Sequence, residues 1–121
     1  NYIAPLPIEY DSSVTCYKQM LHMGHGHANP NMPKAQAIKD ATMAHFIAEN
    51  LEPYSLMLHI NGAYHSDNFE GIVWYLKKLI KPEDIRTISV VYQDDLDELK
   101  KSNYNKADYI FVINQNVTKT H

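Results

Sequence analysis

The sequence predicts an α/β fold, with a partial parallel β-sheet and helices on its faces. Segments of strand character alternate with segments of helical periodicity, and the connections between them are short. A hydrophobic fraction of 45% and a charged fraction of 21% are typical of a globular protein. Only three strands are predicted, which is few for this architecture. We therefore expect residues 1–121 to be part of a larger domain.

Two helices are predicted in the first half of the chain. A short one, capped by Ser12 or Ser13, is expected to end near Leu21. A longer one is predicted over residues 34–50, with Asn31 as its cap, because small residues recur there at spacings of three and four. These small and apolar positions form a narrow seam made of Ala37, Ala41, Ala44, Ala48 and Leu51.

The second half predicts the order strand 55–60, helix 69–80, strand 85–92, helix 94–101 and strand 109–113. Asp67 and Glu70, three residues apart, resemble a capping box at the start of the helix between the first two strands. Consecutive parallel strands joined through helices form right-handed crossovers, which place the helices over the faces of the sheet.

The composition and the net charge of the chain argue against several classes of protein. The net charge is −3 and no run of lysine or arginine occurs, which argues against nucleic-acid binding. No apolar stretch approaches the roughly 20 residues that a membrane-spanning helix needs. Cys16 is the only cysteine, so no intrachain disulfide can form. The chain begins at Asn1 rather than at methionine, and we expect an upstream segment.

The segment 61–68 is the first candidate site. It follows a predicted strand and precedes a predicted helix, which is where ligands bind in open parallel sheets. Gly62 is expected to permit a tight turn that projects His65 into a crevice, and the neighbouring Tyr64 could ligate haem iron as a phenolate. The alternative is that His65 only caps or packs at the start of the helix.

Two further groups of residues could support such a site. His22, His25 and His27 lie within six positions, with flexible glycines between them, and imidazoles so close together can converge on a metal ion or on haem. A solvated histidine-rich loop is the alternative. Gln36, Asp40 and Met43 share one face of the long predicted helix, where the polar pair could orient a histidine or a water molecule. The alternative for that pair is an exposed polar turn.

Two motifs resemble the ChaN-like haem-binding uptake lipoproteins of the Tiki superfamily. The helix around Gln36, Asp40 and Met43 is similar to one helix of that family, and Gly62-Ala-Tyr-His65 resembles its Gly-x-x-His segment. The strand at 86–92 and the closing Ala-Asp-Tyr-Ile-Phe-Val-Ile are similar to its last strands, so the resemblance runs from about Leu6 to the end. The Gly-Glu-x-His motif of the family's first half has no counterpart, which implies the C-terminal part of a single ChaN-like domain.

The resemblance implies a haem- or iron-binding protein of the bacterial envelope, periplasmic or an outer-membrane lipoprotein, that acts in iron or haem acquisition. The lipid anchor would lie on the missing N-terminal part, and a homodimer is expected because an unpaired strand edge invites a partner. The implied cofactor site combines the residues named above, which are Gly62, Tyr64, His65, Gln36, Asp40, Met43, His22, His25 and His27. A divalent metal would be held by His65, His25 and His27. The missing motif favours a protein without catalysis. A metal-dependent hydrolase of the Tiki or erythromycin-esterase-like kind, and a non-catalytic interaction module, remain as alternatives.

Overall fold

The computed structural model describes residues 2–21 and 29–118. Its α-helices there are α1 (Thr15–Met20), α2 (Asn31–Asn50) and α3 (Ile72–Leu76), and its strands are β1 (Ile88–Gln93) and β2 (Tyr109–Asn114). Short 3-10 turns cover Ala63–His65, Asp67–Phe69, Pro82–Asp84 and Lys101–Asn103. No helix of the described ranges combines the length and the apolar character needed to cross a bilayer. Helices together with a parallel pair of strands confirm the predicted α/β class.

The core forms where α3 and α1 pack on the small-residue face of α2. Ala37 and Ala44 are fully buried, and Ala41 is nearly so, as the predicted seam requires. Ile72 of α3 lies in the same apolar cluster, where burial of such a side chain contributes about 1.5–3 kcal/mol. Because methyl groups leave space, the neighbouring helices approach α2 closely enough to enclose polar side chains as well.

The predicted cap of α1 is wrong. The Ser13 hydroxyl donates to Asp11 Oδ1 at 2.7 Å and does not cap the helix. Instead the carboxylate of Glu70 accepts the first N–H groups of α1, from Thr15 at 3.1 Å and from Cys16 at 2.7 Å. Since the free N–H groups at a helix start favour an anion, a residue more than fifty positions away fixes α1 to the entry of α3.

The start of α2 also differs from the prediction. The helix begins at Asn31, three residues early, so Asn31 lies within it and does not cap it. The Asn31 N–H instead donates to Asn29 Oδ1 at 3.0 Å. An asparagine side chain just ahead of the helix therefore takes one of the N–H groups that the helix itself leaves unpaired.

Strands β1 and β2 pair in parallel, from Ile88 opposite Tyr109 to Gln93 opposite Asn114. On β1 the residues alternate strictly, with Ser89, Val91 and Gln93 buried. The other face of the pair is apolar and exposed. This outer sheet face consists of Ile88, Val90, Tyr92, Tyr109 and Phe111.

The predicted strand at 55–60 is wrong, because this segment has no regular secondary structure. Leu56 is 97% exposed and Ile60 is 85% exposed. A strand exists only through hydrogen bonds to a neighbouring strand, and the sheet of the described residues contains β1 and β2 alone. The apolar run has the composition of a strand but lacks a partner within the described part of the chain.

Two predicted helices are also corrected. The helix expected over 69–80 is confined to Ile72–Leu76 and begins after Gly71. The helix expected over 94–101 is absent, because the buried Gln93 organises this segment as a loop. Its amide donates to the carbonyl groups of Asp95 and Glu98 and accepts the Lys100 N–H. Because these three backbone groups are hydrogen-bonded to the Gln93 side chain, they are not available for the hydrogen bonds of a helix.

Candidate functional site

The candidate site is built on a contact between α2 and the turn Ala63–His65. His65 Nδ1 lies 2.5 Å from Asp40 Oδ1. The side chain of Asp40 is fully buried, whereas that of His65 is 23% exposed. Because an ionised carboxylate only accepts hydrogen bonds, the contact with ionised Asp40 places the imidazole proton on Nδ1. The imidazole therefore presents the lone pair of Nε2 to its surroundings.

The second carboxylate oxygen of Asp40 is held by Tyr17 of α1. The Tyr17 hydroxyl donates to Oδ2 at 2.7 Å, and both side chains are fully buried. Burial raises the pKa of Asp40, while the hydrogen bonds from His65 and Tyr17 work in the opposite direction. Burial, together with the neighbouring Asp40 carboxylate, also raises the pKa of Tyr17, so its phenol stays a hydrogen-bond donor. Three elements thus converge on one buried carboxylate.

Gln36 lies one helical turn before Asp40 and meets the same imidazole. Its Nε2 lies 2.8 Å from His65 Nδ1 and 3.2 Å from His65 Nε2. The Gln36 amide nitrogen therefore lies within hydrogen-bonding distance of both ring nitrogens and is closer to Nδ1, the nitrogen that also faces Asp40.

The turn that carries His65 is stabilised by its own backbone. The His65 N–H donates to the carbonyl of Gly62 at 2.9 Å, and the side chain of Asn61 donates to Ser66 Oγ at 2.9 Å. Gly62 has φ −70° and ψ 149°, which any residue can adopt. A tight turn therefore follows Gly62 as expected, but the conformation of Gly62 itself does not require glycine. The glycine with a positive φ in this region is Gly71.

Asp67 fixes the loop after His65 to the sheet, and the predicted capping box is wrong. Its Oδ1 accepts a hydrogen bond from Ser89 of β1 at 2.8 Å, and its Oδ2 lies 3.8 Å from the ammonium group of Lys106. The Asn68 N–H donates to the carbonyl of Lys106 at 2.8 Å. The loop of His65 is thus held by the sheet on one side and by α2 on the other.

A cavity of about 400 Å³ opens beside this loop. Its lining is Cys16, Gln19, Ala63, Tyr64, Asp67, Asn68 and Lys106. Burial, with Glu70 and Asp40 nearby, raises the pKa of Cys16 to about 12, so the thiol at the base of the cavity is neutral. The half-exposed Tyr64 phenol and the Lys106 ammonium group provide polar contacts at its wall. The volume lies within the range of small-molecule sites.

The structure brings together Gln36, Asp40 and His65 and places Tyr64 at the adjacent cavity. The alternative of an exposed polar turn is wrong for Asp40, which is buried. Met43 packs against the hydrophobic core. The predicted ligands His22, His25 and His27 lie outside the described residues. Within 2–21 and 29–118, no three histidine, cysteine, aspartate or glutamate side chains gather as a metal site.

Sequence reasoning missed Tyr17, Lys106 and Gly71. Tyr17 lies on the apolar face of its helix, where a tyrosine needs a partner for its hydroxyl, and this signal pointed to a buried acceptor. Lys106 reaches the loop only through tertiary structure, so its position in the sequence carries no signal. Gly71 follows Glu70 directly, and a glycine just before an apolar helix is a recognisable sign of a turn.

One comparison with known proteins matches the part of the chain that carries this geometry. A family model described as haem-binding uptake, Tiki superfamily, ChaN matches residues 2–76, which is more than half of the chain. The matched range contains α1, α2, α3 and the turn of His65. No curated protein and no solved structure matches the chain.

Proposed function

Since the chain belongs to the ChaN family of the Tiki superfamily, described as haem-binding uptake, we propose that it binds haem at the bacterial envelope and serves iron or haem acquisition. The observation that carries the proposal is the position of the match, residues 2–76. This range holds every residue of the Tyr17–Asp40–His65–Gln36 network and most of the cavity lining.

The residues at the cavity fit the chemistry of haem. Tyr64 in the cavity lining offers a phenol. His65, the next residue along the same turn, offers the Nε2 lone pair, and both groups are known types of ligand to haem iron. Lys106 offers a cation to the acidic groups at the edge of the ring. A bound haem would supply an iron centre, which Tyr64 and His65 would hold.

In this proposal Asp40 and Gln36 orient His65 and do not themselves touch the ligand. Asp40 holds the proton on Nδ1 and makes the opposite nitrogen a better electron donor, as a carboxylate behind a metal-binding histidine does. Gln36 lies against both nitrogens of the same ring. The imidazole is therefore presented in one tautomer and one orientation.

Three histidines between α1 and α2 in the sequence complete the proposed set of ligands. His22, His25 and His27 precede α2, the helix that carries Gln36 and Asp40. We include them because imidazole is a common ligand for iron and for other transition metals. The double variant His25→Ala/His27→Ala is expected to weaken hemin binding, and unchanged affinity would exclude these two histidines from the site.

Absorbance titration with hemin tests the proposal. The wild-type protein is expected to shift the Soret band and to saturate at a defined stoichiometry. Tyr64→Phe and His65→Ala are each expected to raise the dissociation constant at least tenfold, because each removes one of the two side chains proposed to bind the iron.

Two matched variants serve as controls. His45 on α2 has a side chain 26% exposed, close to the value for His65, and Tyr109 on β2 is exposed like Tyr64 but faces away from the cavity. His45→Ala and Tyr109→Phe should leave the titration unchanged. A wild type that gives no Soret shift, or equal losses in the controls, would overturn the proposal.

The Asp40–His65 pair also supports a second candidate, a metal-dependent hydrolase in which His65 acts as a ligand or as a base. A buried carboxylate that fixes the tautomer of a histidine suits either role. This candidate predicts a stoichiometric divalent metal in the purified protein and hydrolytic activity that is lost in His65→Ala. Elemental analysis that finds no metal would exclude it.

We further propose that two copies associate through the outer sheet face. The apolar side chains of this face of β1 and β2 are exposed. Parallel sheets are otherwise found covered on both faces. Light scattering after size-exclusion chromatography is expected to give twice the mass of one chain, and a strictly monomeric mass would contradict this.

A further inference from the structure

We infer that Gly71 is a positioning residue that allows His65 to reach Asp40. Nothing in the chemistry of glycine suggests a role in binding, and the residue lies six positions after the histidine. The inference depends on two independent features of its backbone. Its binding readout rests on the proposed function, whereas its spectroscopic readout does not.

The first feature is a turn that only glycine adopts readily. Gly71 has φ 58° and ψ −120°, close to the values of about +60° and −120° for the second residue of a type II′ turn. The Val73 N–H donates to the carbonyl of Glu70 at 3.1 Å, which is the hydrogen bond that closes such a turn. The turn reverses the chain directly before α3.

The second feature is the lack of space for a side chain. A Cβ atom at position 71 would overlap the carbonyl oxygen of His65 and would lie 2.9 Å from the carbonyl carbon. The same atom would lie 3.2 Å from Asp40 Oδ2. The bare backbone of Gly71 therefore packs directly against both members of the pair.

These two features lead to one consequence. A side chain at position 71 must push the backbone of His65 away, because the overlapping atoms belong to the main chain and cannot rotate aside. Since Asp40 is fixed in α2 and held by Tyr17, the histidine has to move relative to its carboxylate. The short contact between Nδ1 and Oδ1 is then lost.

Ring ¹⁵N spectroscopy of Gly71→Ala tests the inference without any ligand. In the wild type we expect His65 to show a proton on Nδ1 and a downfield, slowly exchanging imidazole N–H signal. In Gly71→Ala this signal should disappear, and the ring should populate both tautomers. The dissociation constant for hemin should rise at least tenfold.

Gly62→Ala is the matched control, because a Cβ atom there meets nothing within 4 Å. This variant should keep the Nδ1 proton signal. Val91→Ala, which opens space under the buried face of β1, controls for a general loss of stability and should also keep the signal. A folded Gly71→Ala with an unchanged signal would overturn the inference. Loss of the signal in Val91→Ala would overturn it as well.

Should Gly71→Ala fail to fold, the wild type decides the question. Scalar couplings must then give a positive φ at Gly71, and its α-protons must show nuclear Overhauser contacts to the Ser66 N–H, next to the His65 carbonyl. A negative φ or missing contacts would refute the inference. An intact Nδ1 signal in a protein that does not bind hemin would count against the proposed function alone.

Discussion

The helical side and the sheet side of the molecule differ in how their chemistry is satisfied. Around α2, the buried carboxylate of Asp40 has donors on both oxygens, from Tyr17 and from His65. On the outer sheet face, Val90 and Phe111 are exposed without a covering layer among the described residues. On the helical side the buried polar groups are hydrogen-bonded within the chain, whereas the sheet side leaves apolar side chains exposed. Chemistry specific to a ligand is therefore expected on the helical side.

The largest expected effect comes from Asp40→Ala. The change leaves the Tyr17 hydroxyl without its buried acceptor and releases His65, so the free energy of unfolding should fall by about 3 kcal/mol. Urea unfolding followed by circular dichroism measures the loss. Asp84→Ala, at an exposed carboxylate, is the control and should change the value by less than about 0.5 kcal/mol. Equal effects of the two changes would mean that the network does not stabilise the fold.

Glu70→Ala should have the next largest effect. The substitution removes the acceptor for the Thr15 and Cys16 N–H groups, and with it the hydrogen bonds that join α1 to the entry of α3. The free energy of unfolding should fall by about 1 kcal/mol. Chemical denaturation measures it, with the exposed Glu83→Ala as the control. Because α1 carries Tyr17, Glu70→Ala should also speed hydrogen exchange at Tyr17. Unchanged exchange there would show that α1 does not depend on Glu70.

The pH dependence of stability should change in Asp40→Asn. Burial raises the pKa of Asp40, so the folded protein holds a proton that the unfolded chain has already released. This contribution to stability is fully present below the ordinary value near 3.8 and is lost as the pH rises through the folded pKa. The unfolding free energy of the wild type should therefore fall across that window relative to that of Asp40→Asn. Parallel curves for the two proteins would contradict the raised pKa.

The smallest effect on stability is expected on the sheet side, where two adjacent valines can be compared directly. Val90 is exposed on the outer face and Val91 is buried on the inner face of the same strand. At concentrations where the protein is monomeric, Val90→Ala should change the unfolding free energy by less than about 0.5 kcal/mol. Val91→Ala should cost about 1–2 kcal/mol. Equal costs would show that the outer face is covered within one chain.

The elements that the sequence predicts correctly are those whose pattern depends on local packing. The alanine seam of α2 and the β-branched residues of β1 carry a clear period, and both elements form near the expected places. The segment 55–60 has equally good composition but needs a neighbouring strand, and residues 2–21 and 29–118 provide none for it. The prediction that residues 1–121 are part of a larger domain stays a prediction.

The residues of the candidate site also divide into those that the sequence pattern predicts and those that it does not. Gln36 and Asp40 share one helix face by simple spacing, which made their joint role predictable. The contributions of Tyr17, Glu70 and Gly71 depend on distant segments that meet only after folding. The loop of Gln93 shows how one buried amide can override a helical pattern. Periodicity does not encode such contacts, because they depend on how the elements pack.

The most direct test of the site is an amide NMR titration with gallium protoporphyrin IX, a diamagnetic analogue of haem. We predict that the largest shifts occur at the cavity beside His65, at Ala63, Asn68 and Lys106. The outer sheet face at Val90 and Phe111 should not respond. Shifts concentrated on that face, with the cavity unchanged, would contradict a haem site next to the Asp40–His65 pair.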